Sequence, residues 1–165
     1  VQEIAKKTHT WMGESIKFGL EYYTPFWKKN GYSGILYSHV NLIQEMYDHS
    51  STDGTFYALK GFLNGQAYSY TKEERKVHVL KQLERVFGLE VTNYVHYYEK
   101  LWRNEEDLFL SYDTFVMPHQ NNGHVLYQNP FFGNKLFVSG SETGQQHPGY
   151  MEGAIQAAYH INSFF

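Results

Sequence analysis

The sequence predicts an α+β fold, a mixed or antiparallel sheet with a covering helix, followed by a C-terminal strand and helix. Three observations lead there. Short alternating segments cut by Gly, Pro and Asn fill the first third, a strongly capped periodic helix follows, and the chain closes with an apolar run, a loop and a small-residue helix.

Taken in order, residues 2–9 are polar with little periodicity, and Ser15-Ile16-Lys17-Phe18-Gly19-Leu20-Glu21-Tyr22 alternates as a half-buried strand does. Pro25 to Gly31 reads as a turn. Residues 34–40 and 55–63 read as strands separated by the turn-rich stretch 48–54. Thr71-Lys72-Glu73-Glu74 is a capping box, and Val77, Leu80, Leu83 and Phe87 recur at near-helical spacing up to Gly88. Residues 94–102 predict another strand and 103–107 a polar loop. Residues 117–124, rich in Asn with Pro118 and Gly123, predict irregular structure. Leu136-Phe137-Val138-Ser139-Gly140 reads as a short apolar strand, and Gly149 opens a helix with small residues along one face.

Composition narrows the function. The chain has 165 residues, 42% of them hydrophobic and 19% charged, enough for one sizeable core. A net charge of -3 of mixed sign, with no basic run, argues against a nucleic-acid partner. No apolar run approaches the roughly 20 residues that span a bilayer, and no signal-like start is present. Without cysteine, disulfides and thiolate chemistry are excluded, which suits a reducing compartment such as the cytoplasm. The first residue is Val1 rather than Met, so a processed or internally started polypeptide is expected. With 15 Tyr and 12 Phe, the chain carries many flat faces with polar tips; they suit a wall around a flat ligand as well as an ordinary Tyr-rich core.

The sharpest signal lies in the last third. Phe137-Val138-Ser139-Gly140-Ser141-Glu142-Thr143 is followed by His147-Pro148-Gly149-Tyr150-Met151-Glu152-Gly153-Ala154. A strand, a loop and a helix N-terminus can receive a polar ligand on free backbone N–H groups, although many α/β proteins share that spacing. These two blocks resemble the C-terminal flavin motif of the flavin-containing monoamine oxidase family, FAD-dependent amine oxidases. Upstream segments resemble the family in the same order: Gly13-Glu14-Ser15-Ile16-Lys17, Tyr22-Tyr23-Thr24-Pro25-Phe26-Trp27, Thr71-Lys72-Glu73-Glu74-Arg75 and His96-Tyr97-Tyr98-Glu99-Lys100-Leu101-Trp102.

The resemblance implies roles at matching positions. Lys17 falls where the family has a lysine that reaches the flavin N5 through a water; a cation there favours the electron-rich reduced cofactor and the charge developing during reoxidation by O2. The ordinary alternative is a strand lysine in solvent. Tyr112 and Tyr150 match the paired aromatic residues that cage the substrate amine before the flavin and orient its α-carbon. Trp102 resembles a tryptophan near the flavin edge, with a core tryptophan as the alternative. Gly140, Ser141, Glu142, Gly149, Tyr150 and Met151 fall in the cofactor-binding blocks, with Glu142 near the ribityl and pyrophosphate region.

Two departures matter. Ser111 stands where members that bind FAD covalently carry cysteine, so a thioether to the flavin is excluded. Residues 117–124 lack the Pro-Pro-Gly pattern of several members. No zinc spacing of His residues occurs, so no metal is expected. No Gly-x-Ser-x-Gly elbow supports a serine hydrolase.

No Gly-x-Gly-x-x-Gly fingerprint occurs either, so the N-terminal dinucleotide-binding half is expected to be absent. The expected organisation is a partial substrate-binding domain over residues 1–128 and a segment contacting FAD over residues 129–165. The resemblance implies oxidation of an amine C–N bond to an imine, with O2 reduced to hydrogen peroxide. FAD would be held non-covalently, and weakly or not at all without the other half. The partners implied are a small-molecule amine, O2 and that missing half of the same protein. Two other readings stay open: a sister FAD oxidoreductase (an amino-acid or polyamine oxidase, or a desaturase) and a non-catalytic aromatic-rich binding module. An amino-acid oxidase would need an arginine for the substrate carboxylate, and only Arg75, Arg85 and Arg103 are available here.

Overall fold

The computed structural model describes residues 2–106, 108–109, 111 and 115–165. In chain order the elements are α1 (Gln2–Ala5), β1 (Ile16–Tyr22), α2 (Phe26–Lys29), β2 (Leu36–Tyr37), β3 (Ile43–Asp48), β4 (Tyr57–Leu63), α3 (Lys72–Phe87), β5 (His96–Leu101) and α4 (Met151–Asn162). They fall into two compact units, one of residues 14–102 and the other of residues 1–13 with 103–165.

In the first unit the strands form a five-stranded sheet, ordered β2-β3-β4-β1-β5, in which every neighbouring pair is antiparallel. The α+β class predicted from the sequence is the fold observed. Alternation along β1 sends Ile16, Phe18, Leu20 and Tyr22 to the core face and Lys17 to the other. Leu59 and Leu63 of β4 and Ile43 and Met46 of β3 join the same core with Val79, Leu83 and Phe87 of α3. Each such side chain contributes about 1.5 to 3 kcal/mol on burial.

The start of α3 is fixed by its capping box: Glu74 N–H donates to Thr71 Oγ1 at 3.3 Å and Thr71 N–H donates to Glu74 Oε2 at 2.8 Å. The buried face includes Leu83 and Phe87 as expected, with Leu80 packed against the core, but differs from the expected one at other positions. Val77 is exposed, and Arg75, Val79, Gln82, Leu83 and Phe87 face inward. Two of these are polar, which an apolar periodicity cannot detect. Gln82 accepts from Ile43 N–H at 2.8 Å and donates to Val40 O at 2.9 Å and Ile43 O at 3.1 Å, tying α3 to backbone groups at the start of β3.

Arg75 carries the other polar tie. Its guanidinium grips Glu99 of β5 through two hydrogen bonds, Nε to Oε2 at 3.0 Å and Nη2 to Oε1 at 2.7 Å. Nη1 donates to Ala67 O at 3.1 Å and to Tyr70 O, and Tyr97 donates its hydroxyl to Glu99 Oε2 at 2.9 Å. The Glu99 carboxylate pushes the Arg75 pKa up against the opposing effect of burial. Burial first, and then the Glu99 charge, push the Tyr97 phenol up as well.

Several elements differ from the sequence expectation. Residues 34–40 keep only the two-residue strand β2, while β3 was not expected. A register shift between Ile43 and Glu45 puts Ile43 and Met46, three positions apart, on the core side and so destroys the period-2 signal. The turn at 25–31 contains the single helical turn α2, which buries Phe26 and Trp27.

In the second unit, residues 136–140 form no strand. Leu136 makes one bridge to Phe131, and a 3-10 turn, Ser141–Thr143, follows. A strand needs a continuous partner for its backbone groups, and among the described residues this segment has only that bridge.

Candidate functional site

On the first unit, Lys17 projects from the sheet face opposite the core. Its cross-strand neighbours are Phe62 on β4 and Lys100 on β5, and its Nζ lies 5.1 Å from the centroid of the Phe62 ring. Trp102 continues the same row: its N–H donates to Ser15 O at 3.2 Å, and Lys100 Nζ lies 5.4 Å from its ring. Strand pleating therefore gathers Lys17, Lys100 and Trp102 on one face. Lys17, Gly19, Tyr98 and Lys100 line an open cleft of about 260 Å³. The sequence reading named Lys17 and Trp102 and missed Phe62 and Lys100, which pairing brings beside them. Behind this face Arg75 is committed to Glu99, so it is not available to a substrate carboxylate.

On the second unit the two motif blocks close on each other. Gly149 N–H donates to Ser141 O at 2.9 Å, and Gly123 N–H donates to Glu142 O at 2.7 Å. The first turn of α4 packs so tightly on residues 141–147 that a Cβ on Gly153 would clash with His147 O, and one on Gly144 would sit 2.6 Å from Gly153 O. Only glycines allow that approach. Thr143 braces the turn, accepting from Gly140 N–H at 3.1 Å and donating to Gly140 O at 2.9 Å.

Beside this turn lies an open cleft of about 500 Å³, lined by residues 138–143 together with Ala5, Thr8, Thr10, Leu108 and Tyr127. Gly140, Ser141 and Glu142 thus border a space large enough for part of an elongated ligand. At α4 the N-cap is Tyr150, which makes no side-chain cap. The backbone along the cleft suits a polar ligand, and the α4 start, which lies outside the cleft lining, has no side-chain cap. Gly149, at φ +84°, turns the chain into Tyr150, whose ring is half exposed, and into Met151, which is largely exposed.

The Tyr150 ring leans on neighbours the sequence reading did not assign to the site. Trp11 and His119 stack with ring centroids 4.2 Å apart and planes 23° from parallel. Tyr150 lies 5.8 Å from Trp11 and 6.2 Å from His119. Ser111 is exposed, and Tyr112 lies outside the described residues. Among the described residues, no group of three or more His, Cys, Asp or Glu could hold a metal ion, and no helix is long and apolar enough to cross a membrane.

Known proteins share this architecture. Residues 2–161 match the family model of flavin containing amine oxidoreductases, and the chain belongs to that family. A flavin-containing amine oxidase of Oncorhynchus mykiss is 36% identical over 155 residues, covering 88% of this chain and 29% of the relative. Flavin-containing amine oxidase B of Homo sapiens is 32% identical with the same coverage. Cyclohexylamine oxidase from Brevibacterium oxydans superimposes with a TM-score of 0.73 at 25% identity, over 91% of this chain and 35% of that one. Wild-type putrescine oxidase bound to putrescine gives 0.72 at 25% identity, over 90% and 33%. The chain therefore spans about a third or less of the length of these relatives.

Proposed function

We propose that this chain supplies the substrate-facing and C-terminal flavin-contacting parts of an FAD-dependent amine oxidase. That enzyme oxidises an amine C–N bond to an imine and reduces O2 to hydrogen peroxide. FAD supplies the two-electron chemistry when bound. The observation that carries the proposal is the closure of the Gly140–Glu142 block on Gly149 through the Gly149–Ser141 hydrogen bond, beside an open cleft.

In this reading residues 129–165 contact the cofactor and residues 1–128 belong to the substrate-binding part. The backbone of Gly140, Ser141 and Gly149, with Glu142 and Met151, holds the flavin non-covalently, since Ser111 cannot form a thioether. Trp102 flanks it. Tyr150, with Tyr112, orients the amine; Lys17 keeps a positive charge where negative charge develops as O2 is reduced. Phe62 under the lysine and Lys100 beside it fix and reinforce that charge.

In this reading the pyrophosphate and adenosine contacts belong to an N-terminal half outside this sequence, so the chain alone binds FAD weakly or not at all and is inactive; that the chain spans only 29% of the length of its relatives supports this. Anaerobic addition of primary amines to the complete flavoprotein tests the proposal. Bleaching of the flavin band, reversed by air with release of hydrogen peroxide, is expected. A flavin that no amine reduces would overturn it, as would sub-micromolar FAD binding by the isolated chain for the claim about the missing contacts.

A further inference from the structure

We propose that Trp11 and His119 form a plate that sets the angle of the Tyr150 ring, making His119 a positioning residue for amine oxidation. The inference rests on Tyr150 being a wall of the amine site.

Residues 7–11 and 117–124 are clamped together from both sides. His9 N–H donates to Gln120 O at 3.0 Å, His119 N–H donates to His9 Nδ1 at 3.4 Å, and Asn121 Nδ2 donates to Lys7 O at 2.9 Å. That clamp brings His119 onto Trp11. The His119 Nδ1 is buried without a hydrogen-bond partner among the described residues, and the ring stacks on Trp11.

Tyr150 meets the plate with its ring 22° from the plane of His119. Trp11 also packs on the backbone just before it: a Cβ on Gly149 would lie 2.7 Å from the Trp11 Cβ. The plate thus holds Tyr150 at both its ring and its main chain. Tyr150 is still half exposed, so the plate covers part of it and leaves the rest to a ligand. A wall that must present a fixed face to an amine needs such a backing, because a freely turning Tyr spreads the substrate over many poses.

His119 sits at φ +60°, in the left-handed region that Asn also tolerates, which separates the ring from the turn. In the complete flavoprotein, His119→Asn preserves the turn and removes one ring of the plate, whereas Trp11→Phe, at a position outside the left-handed region, keeps a ring in the other half. We expect His119→Asn to slow amine-driven flavin reduction about tenfold and to leave reoxidation unchanged, with Trp11→Phe keeping most of the rate. Without amine, near-ultraviolet circular dichroism should lose one aromatic band in both His119→Asn and Tyr150→Leu, with no further loss in the double variant.

If Tyr150→Leu slows reduction but His119→Asn does not, the plate has no positioning role. A His119→Asn defect that falls equally on both half-reactions also overturns the inference, as a packing fault. If Tyr150→Leu itself reduces at the normal rate, Tyr150 is not a wall of the amine site, and the inference falls with that assignment.

Discussion

Replacing Glu99 by Gln removes the charge opposite Arg75 and leaves the rest of the packing in place. The side chains are 7% and 3% exposed for Arg75 and Glu99, so neither water nor salt can take over the lost charge. Arg75 retains its contacts to Ala67 O and Tyr70 O, which do not neutralise it. Breaking a buried pair from one side costs about 3 to 5 kcal/mol, against a total stability of about 5 to 15 kcal/mol for a typical domain. Urea unfolding followed by circular dichroism should then show the midpoint falling by about 2 M, at a slope of about 2 kcal/mol/M. The double variant Arg75→Met with Glu99→Leu removes both charges and should lose much less, since no charge is stranded. The consequence reaches the candidate site, because Glu99 lies on β5 between Tyr98 and Lys100, which line the Lys17 cleft. A Glu99→Gln loss below about 1 kcal/mol, or a double variant as unstable as the single one, would refute the idea of a buried charge pair locking α3 to β5.

Three further outcomes follow from local structure. Burial works to raise the Asp48 pKa, but Lys28 at 2.8 Å, the Ser50 hydroxyl and N–H, and the Trp27 indole outweigh it and lower the carboxyl from 3.8 to about 2. A depressed folded pKa gives stabilisation that is present above the unfolded value and lost as pH falls through the folded one. About 1 to 2 kcal/mol should therefore fade between about pH 4 and pH 2 in acid unfolding, and Asp48→Asn should remove that part of the slope. Thr71→Ala removes the α3 cap and should cost about 1 kcal/mol in urea unfolding, with Thr71→Ser near neutral. The complete flavoprotein should release its flavin to the supernatant on acid precipitation, since Ser111 offers no thiol; a yellow pellet would show a covalent link elsewhere.

Much of the first unit was legible because its signals are local. The alternation from Ile16 to Tyr22 and the Thr71 to Glu74 box each declare an element within a few residues. β3 was not legible, because the bulge after Ile43 places Met46 out of phase. On α3, Leu83 and Phe87 face inward as expected, but Val77 is exposed, and Arg75 and Gln82 are buried for partners supplied by β5 and β3, which apolar spacing does not reveal. At the site, the two C-terminal blocks were visible as sequence and do meet through Gly149 and Ser141. Trp11 stacked on His119 was not visible, because residues 108 positions apart meet only through the clamp of His9, Lys7, Gln120 and Asn121. The apolar run at 136–140 reads as a strand from side chains alone, yet a strand also requires a partner for its backbone.

In the proposed function Lys17 and Tyr150 serve different halves of one flavin-dependent oxidation. Stopped-flow measurement on the complete flavoprotein, with reduction by amine and reoxidation by O2 recorded separately, tests it most directly in Lys17→Met. Loss of the cation should slow reoxidation by about tenfold or more and change reduction by less than about twofold. Reoxidation at the normal rate, or equal slowing of both steps, would contradict the assignment of Lys17 to the oxygen reaction.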